Sequence, residues 1–316
     1  MSQKIFENVA ILGLGLIGSS LAHGLRDKGL ASRVVGYDAS EDVRARAEKL
    51  AFCDEIAATP EDSVKDADLV VLSMPVGATG EAAKSIAGAL KPGVIVTDVG
   101  GVKSAVITKV EAALPEEIAF VPGHPIAGTE HSGPEAGFGS LFEGRWAILT
   151  PSDRTTDAAL QKISDLWHAL GSDVETMTPE HHDLVLATTS HLPHLIAFNI
   201  VGTAADMEEV TRSEVIKFSA GGFRDFTRIA ASDPVMWRDI FLNNKEAVLE
   251  MLGRFSEDLA AVQRMIRWED GDALQDLFTR TRAIRRGIIE AGQETEAPDF
   301  GRRAAQSEKG GAKSES

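Results

Sequence analysis

A glycine-rich hexapeptide near the N-terminus restricts the possible folds of this 316-residue chain more than any other segment. The sequence Gly13-Leu14-Gly15-Leu16-Ile17-Gly18 lies between a short apolar run at 8–12 and a stretch of helical character that begins at residue 19. In this pattern the first glycine permits a tight turn, the second lets a diphosphate approach the backbone, and the third lets helix and strand pack closely. The helix N-terminus then faces the anion. The motif predicts a dinucleotide site at Gly13, Gly15, Leu16, Ile17 and Gly18.

A carboxylate beyond the motif bears on which dinucleotide binds. Asp38 lies 20 residues past Gly18, at the end of the second predicted strand, where an acidic side chain accepts hydrogen bonds from ribose hydroxyls. Its charge repels a 2′-phosphate, and Ala39-Ser40 supply no arginine to offset it, so NAD is favoured over NADP. A glycine turn without ligand, or an Asp38 that only ends a strand, are the alternatives. Ligands of such sheets bind at the carboxyl ends of strands, which adds Ser73, Pro75 and Val76 as predicted cofactor contacts.

Strand and helix patterns alternate along the first half of the chain. This alternation predicts a parallel sheet covered by helices on both faces. We therefore expect an α/β Rossmann-type dinucleotide-binding domain over residues 1–178. Its strands are predicted at 8–12, 33–38, 68–75, 94–99, 119–122, 146–150 and 173–177, and its helices at 19–28, 41–50, 79–90, 103–113 and 157–170.

From Pro179 onward the pattern is helical, which predicts an all-α substrate and dimerisation domain over 179–291. Residues 234–268 form one long helical pattern, opened by the helix-start signal Ser232-Asp233-Pro234. Residues 292–316 are polar and are predicted to be a disordered tail. Within the long pattern, apolar residues spaced by four and three form a narrow seam of the kind one helix offers another: Val248, Leu252, Phe255, Leu259, Val262 and Ile266. Both an intrachain core and a subunit interface are compatible with this seam.

Composition excludes several classes of partner. Acidic residues outnumber basic ones by 48 to 32, and the net charge of −16 argues against nucleic acid or an anionic membrane. An anionic substrate would need local positive charge. The lone Cys53 excludes an intramolecular disulfide framework and a Cys-rich zinc site, and it suits a reducing compartment. No run of 18 uncharged apolar residues and no signal peptide are evident, so we expect a cytoplasmic protein without a transmembrane helix.

Seven of the eight histidines fall between residues 124 and 194. A metal site is one interpretation, but no second ligand pair at a recognised spacing accompanies His191 and His194, so no metal is predicted. Proton chemistry is the other, because a neutral histidine can accept the hydroxyl proton that an alcohol loses when hydride leaves it. His124 is the best candidate, in a predicted loop after a sheet strand. Structural roles are favoured for His131, His168, His181 and His182.

Several segments together give the chain a family resemblance. It resembles the prephenate/arogenate dehydrogenases over residues 5–290. That family, also called cyclohexadienyl dehydrogenases, acts in tyrosine biosynthesis. The segments are 13–18 with Asp38, Asp98-Val99-Gly100-Gly101-Val102-Lys103, His124-Pro125-Ile126-Ala127-Gly128-Thr129, Ser190-His191-Leu192-Pro193-His194, and 222–230 running on to Trp237.

The resemblance implies a reaction and roles for residues. The reaction is the NAD-dependent oxidative decarboxylation of prephenate to 4-hydroxyphenylpyruvate, or of arogenate to tyrosine, by a homodimer joined through the helical domain. His124 would act on the 4-hydroxyl. Arg228 would bind a substrate carboxylate bidentately, with Asp225 orienting it, and His194 would contact the substrate side chain. Thr129 and Trp237 complete the implied substrate site.

One position departs from the family pattern. Relatives usually carry a serine where this chain has Gly101, and that serine hydrogen-bonds the catalytic histidine or the substrate hydroxyl. Ser104, three residues on, is the candidate to replace it and is taken as catalytic.

Other functions stay open at this point. A β-hydroxyacid dehydrogenase would require a catalytic lysine, which segment 183–206 lacks, and a non-catalytic NAD-sensing protein would not need both His124 and Arg228. Prephenate, or both substrates, is slightly favoured over arogenate alone. Neither a fused chorismate mutase domain nor a C-terminal regulatory domain is expected.

Overall fold

The computed structural model describes residues 4–129, 131–206, 217 and 221–290. The chain divides into two compact units, Met1–Leu252 and Gly253–Ser316. The first unit contains both sheets and every predicted site residue. The predicted tail at 292–316 lies outside the described residues.

A six-stranded parallel sheet forms the centre of the first unit. Its spatial order is β3-β2-β1-β4-β5-β6, which is the strand order of a dinucleotide-binding fold and confirms the predicted fold class. All five neighbouring pairs are parallel, so every strand ends at the same edge. The strands are β1 Phe6–Leu12, β2 Ala31–Tyr37, β3 Glu55–Ile56, β4 Leu69–Leu72, β5 Ile95–Asp98 and β6 Ala119–Val121.

Two apolar cores lie on the two faces of this sheet. Alternate residues of a strand point to opposite faces, so Val9 and Ile11 of β1 enter one core while Ala10 and Leu12 enter the other. Helices on both faces close the cores, and the 41–50 prediction matches α2, whose N-terminus is capped by Ser40. The helices are α1 Leu16–Asp27, α2 Glu41–Leu50, α3 Pro60–Val64, α4 Thr79–Ile86 and α5 Ser104–Ala113.

A second, three-stranded sheet follows. It consists of β7 Gly123–Pro125, β8 Trp146–Leu149 and β9 Asp173–Thr176, with α6 Asp157–Leu170 between β8 and β9. The prediction of a loop around His124 was wrong, because His124 pairs with Ile148 in antiparallel β7 and β8. Proline and glycine favour a loop locally, but an edge strand tolerates proline. The short elements β3 and α3 were not predicted.

Among the described residues of 179–290, all regular elements are helical, as predicted. The helix α7 Pro179–Leu186 continues through a π-helical turn, Ala187–His191, into α8 Leu192–Ala205. The others are α9 Gly221–Thr227, a 3-10 turn at Arg228–Ala231, α10 Pro234–Asn243, α11 Lys245–Arg267 and α12 Gly271–Glu290.

The predicted single helix at 234–268 is interrupted. It begins as predicted, with Asp233 accepting a hydrogen bond from the Met236 amide. It breaks at Asn244, whose φ of −113° and ψ of 36° are not helical. The side-chain amide of Asn244 is buried, and its Nδ2 donates to the backbone carbonyl oxygen of Asp183 at 2.8 Å. A tertiary hydrogen bond therefore ends α10, and no periodicity in the sequence could reveal it.

The continuous helix Pro179–Ala205 is long and apolar enough to cross a membrane by length and composition alone, with a mean hydropathy of 1.4 in its most apolar window. One such helix is a weak indicator of a membrane span. Within it His182, Asp183 and His191 are buried, and Asp183 and His191 hydrogen-bond protein groups outside the helix.

Candidate active site

The glycine turn after β1 has the shape that the motif predicts. Gly13 has a φ of +96°, and a Cβ there would lie 2.1 Å from the Ser73 carbonyl oxygen. A Cβ on Gly18 would lie 2.0 Å from the Gly13 oxygen. A Cβ on Gly15, in contrast, would meet no described atom within 4 Å. The first and third glycines are required by the packing, and the second faces open space through which a diphosphate can approach.

The N-terminus of α1 is suited to an anion. The helix begins at Leu16 and Ile17, its N-cap Gly15 has no side chain, and its first turn contains no acidic residue. The first amide groups of a helix have no intrahelical acceptor, and the helix dipole favours negative charge there. The turn and helix therefore fit the diphosphate of a dinucleotide.

Asp38 is tied to this turn. One carboxylate oxygen accepts a hydrogen bond from the Leu14 amide at 2.9 Å and the other from the Ser40 amide at 2.9 Å. Arg44, one helical turn further on, donates to the Asp38 carbonyl oxygen at 2.6 Å. The sequence-based prediction of NAD took account of residues 39–40 only, and Arg44 was not among the predicted site residues.

The segment after β4 borders the same turn. Ser73 presents its carbonyl to Gly13 and donates its amide to Leu12 at 2.7 Å. Pro75 is exposed, whereas Val76 is buried against Gly100. These residues lie at the predicted edge of the sheet.

A buried ion pair fixes the loop that carries Gly101. The Lys103 ammonium donates to Asp98 and to the Gly123 carbonyl oxygen, and both charged side chains are fully buried. The Gly123 amide donates back to the other oxygen of Asp98 at 3.2 Å. Since an unpaired buried charge is strongly destabilising, this network holds β7, and with it His124, beside Gly101.

His124 contacts a second histidine. Its Nδ1 lies 2.9 Å from Nε2 of His182, and Nδ1 of His182 lies 2.9 Å from a carboxylate oxygen of Asp183. On the other side of the ring, a Cβ built on Gly101 would lie 3.6 Å from Nε2 of His124. Burial, together with the neighbouring His182, Lys103 and His191, lowers the pKa of His124 well below 6.5. The ring is therefore neutral near pH 7, as a proton acceptor must be.

Ser104 lies at the far end of this chain of contacts. Its amide donates to Asp183 at 2.9 Å, and its side chain also hydrogen-bonds Asp183. Its side chain thus contacts the carboxylate that also binds His182, and its role as a replacement for a serine at Gly101 stays a prediction.

The predicted substrate residues His194, Arg228 and Trp237 come together. The His194 ring stacks on Trp237, with centroids 3.7 Å apart and planes inclined by 23°. Burial lowers the pKa of His194, and the nearby charge of Arg228 adds to that effect. The indole nitrogen of Trp237 is buried without a hydrogen-bond partner among the described atoms. This cluster combines a cation, a flat apolar surface and a spare donor.

Comparison with known proteins identifies the family of this chain. A family model described as the nucleotide-binding domain of prephenate dehydrogenase matches residues 21–176, and one described as its dimerization domain matches 178–280. The chain belongs to the prephenate dehydrogenase family.

Individual relatives in the family are similar over most of their length. A cyclohexadienyl dehydrogenase from Zymomonas mobilis is 44% identical over 89% of this chain and 96% of its own. The crystal structure of an A. aeolicus prephenate dehydrogenase in complex with hydroxyphenyl propionate and NAD+ has a TM-score of 0.83 and 38% identity, covering 91% of this chain and 99% of that one. A Synechocystis arogenate dehydrogenase structure has a TM-score of 0.74 and 26% identity, covering 89% and 99%.

Two buried residues of this family member were not predicted to belong to the site. His191 hydrogen-bonds the Gly101 backbone, and its Nδ1 lies 3.1 Å from Nδ2 of the Asn244 side chain. Burial lowers the pKa of His191 to about 4. The family segment at 190–194 could have indicated that His191 belongs to the site, whereas no motif in the sequence around Asn244 indicated the same for Asn244.

The last predicted substrate residues, Asp225 and Thr129, have local partners in this member of the prephenate dehydrogenase family. Asp225 is exposed and forms an ion pair with Arg224 at 3.0 Å, and its orientation of Arg228 stays a prediction. The Thr129 hydroxyl accepts from the His131 amide at 3.2 Å. Among the described residues, no cluster of three or more potential metal ligands occurs.

Proposed function

We propose that this protein catalyses the NAD-dependent oxidative decarboxylation of prephenate, of arogenate, or of both. The observation that carries the proposal is the position of His124. Its Nε2 faces Gly101, which has no side chain. Its strand, β7, comes in the chain directly after β6, whose carboxyl end lies at the same edge of the sheet as the glycine turn. Membership of the family and the names of the relatives support the same activity.

The reaction requires one group that accepts a proton and later returns it, because no proton is gained or lost overall. NAD, when bound, supplies the acceptor for the hydride that leaves the ring carbon bearing the hydroxyl. His124 accepts the hydroxyl proton as that carbon becomes a carbonyl. The electron pair of the bond to the departing carbon dioxide then enters the ring, and the proton returns to the ring oxygen. A histidine that is neutral near pH 7 can both take up and return this proton.

Substrate binding is assigned to the cluster around Trp237. Arg228 provides a guanidinium for a substrate carboxylate, which is the local positive charge that a chain with a net charge of −16 requires. His194 stacks on Trp237, is near enough to Arg228 for that charge to lower its pKa, and would contact the substrate side chain. Thr129 would serve the substrate site, with Asp225 orienting Arg228. Ser104 would act through Asp183.

Cofactor binding is assigned to the turn at 13–18. Its open face at Gly15 takes the diphosphate, with the amides of Leu16 and Ile17 at the helix N-terminus. Asp38 accepts hydrogen bonds from the ribose hydroxyls. The segment with Ser73, Pro75 and Val76 borders the nicotinamide half of the cofactor. The negative charge of Asp38 disfavours the extra phosphate of NADP.

The two substrates differ only in a keto or amino group on the side chain. The relatives include a prephenate, an arogenate and a cyclohexadienyl dehydrogenase. We favour prephenate or dual use for this chain, with the contacts near His194 deciding between them.

The protein is proposed to be a cytoplasmic homodimer with a dinucleotide domain at 1–178 and a helical domain at 179–291. The family model matched over 178–280 is described as a dimerization domain. In the unit beginning at Gly253, large apolar side chains are between 44% and 72% exposed, which is the exposure that a partner would cover: Leu259, Ile266, Trp268, Phe278, Ile284 and Ile288.

The experiment is an NADH absorbance assay with purified protein. Prephenate and arogenate are tested in parallel, each with NAD and with NADP. Turnover of at least one substrate with NAD is expected. No turnover with either substrate, alongside measurable NAD binding, would contradict the proposal.

A further inference from the structure

We propose that His182 and Asp183 are positioning residues that fix the tautomer and orientation of His124, so that its Nε2 is presented as the base. The proposal rests on the proposed function, because it assigns the base of that reaction its partners. From the sequence, a structural role was favoured for His182 and no role was predicted for Asp183.

Asp183 is the fixed end of the chain of hydrogen bonds. It accepts from the Lys103 amide at 2.8 Å and from the Ser104 amide at 2.9 Å, at the start of α5. Burial alone would raise the pKa of Asp183, but hydrogen bonds from His182, Lys103 and Ser104 outweigh it and lower the pKa. The carboxylate is therefore ionised and can only accept hydrogen bonds.

An ionised Asp183 determines the protons on both histidines. Nδ1 of His182 must carry a hydrogen to donate to it, so Nε2 of neutral His182 has a lone pair. His124 must then donate from Nδ1 to that lone pair. The remaining nitrogen of neutral His124, Nε2, is left without a hydrogen. It is the nitrogen nearest to Gly101.

Burial keeps this arrangement in place. His182 is fully buried, and burial lowers its pKa despite the hydrogen bond to Asp183, so the ring stays neutral and can accept. Gly101 offers no side chain that could hold His124 from the substrate side. The orientation of the base is thus imposed from its Nδ1 side.

The same contacts stabilise the charged base. When His124 takes the hydroxyl proton at Nε2, its Nδ1–H becomes a stronger donor to His182, and the negative charge of Asp183 lies behind it. A carboxylate that orients a histidine and stabilises the imidazolium without being protonated is known from the serine hydrolases. Here a second histidine is interposed.

The test compares two substitutions of His182. In His182→Asn, the shorter amide can still donate to Asp183 but does not reach His124. In His182→Gln, the side-chain oxygen can take the place of Nε2 and accept from His124. We expect His182→Asn to lower kcat by about 10²-fold, with KM and the NAD dissociation constant within about threefold of wild type. The kcat of His182→Gln should be about tenfold higher than that of His182→Asn.

The matched control is His181→Asn, because His181 is adjacent, exposed and outside the site. It should leave kcat unchanged. A kcat for His182→Asn equal to that of the control would overturn the proposal.

A second measurement does not depend on turnover. Nitrogen-15 NMR of histidine-labelled wild-type protein reports which ring nitrogen carries the hydrogen. The His124 resonances, assigned with His124→Asn, should show protonated Nδ1 and unprotonated Nε2. The opposite tautomer would overturn the positioning role even if the enzyme is active. If wild-type protein turns over neither substrate, the proposed function fails, and the tautomer is still decided by NMR.

Discussion

His124 and His182 are 58 residues apart in the sequence, yet their ring nitrogens lie 2.9 Å apart. This contact joins the strand that follows the dinucleotide sheet to the first helix of the helical region. It makes His124 part of a chain of hydrogen bonds that ends at the N-terminus of α5.

Replacing the base should abolish most of the chemistry and leave cofactor binding intact. We expect His124→Asn to lower kcat by about 10²–10⁴-fold, because a positioned general base contributes that range. The NAD dissociation constant, from fluorescence titration, should be unchanged, since the described neighbours of His124 are His182 and Gly101 rather than the glycine turn. Turnover near the wild-type rate would show that another group is the base.

The pH dependence of activity should reflect the lowered pKa of His124. The neutral ring is the active form, and its pKa lies well below 6.5. kcat/KM should therefore stay level as pH falls from 8 to about 6.5 and decline only in more acidic buffer. A decline centred near the ordinary histidine pKa would contradict the environment described for His124.

The same histidines should make stability depend on pH. His124, His182 and His191 have lowered pKa values in the folded protein, that of His191 being about 4. The unfolded chain therefore binds more protons below pH 6.5, so stability is complete above that pH and is lost as pH falls toward 4. For each histidine kept neutral, the loss is about 1.4 kcal/mol per pH unit. Urea unfolding at several pH values measures it, and a slope of zero between pH 6.5 and 5 would refute it.

The open surface at Gly101 should tolerate a small side chain and reject a branched one. A Cβ there would be in ordinary contact with His124 Nε2 at 3.6 Å and with the Ile240 side chain at 3.7 Å. Gly101→Ser should retain kcat/KM within about tenfold, whereas Gly101→Val should lower it by about 10²-fold by filling the space beside the base. Thermal unfolding of both variants serves as the control. Equal activity of the two would mean that substrate does not approach His124 from this side.

Cofactor preference should depend on the pair Asp38 and Arg44. Asp38→Asn removes the charge that repels a 2′-phosphate, and the Arg44 guanidinium already lies beside this residue. We expect the ratio of kcat/KM for NADP over NAD to rise by about tenfold or more. Adding Arg44→Ala should cancel the gain. A gain that survives the second substitution would exclude Arg44 as the phosphate ligand.

The exposed apolar surface of the last two helices should mediate dimerisation. Leu259→Glu with Ile266→Glu places charges on side chains that are 51% and 62% exposed in the single chain. Light scattering should then report a monomer where wild type gives a dimer, because burying two carboxylates without partners is costly. Gln263→Glu, on the same helix, is the matched control. A dimer that persists in the double variant would place the interface elsewhere.

Sequence alone determined the features that depend on neighbouring residues. The turn at Gly13 and Gly18 follows from backbone sterics, and the helix at 41–50 follows from its cap and periodicity. The strand order could be anticipated because alternating strands and helices admit few topologies. Only the tertiary structure decided which distant groups meet. The break at Asn244, the pairing of His124 in β7 and the contacts of His182 with His124 and of Asp183 with α5 all depend on elements that are far apart in the chain. Local propensity contains no information about such pairings, because hydrogen bonds between buried groups form only where the packed fold brings them together.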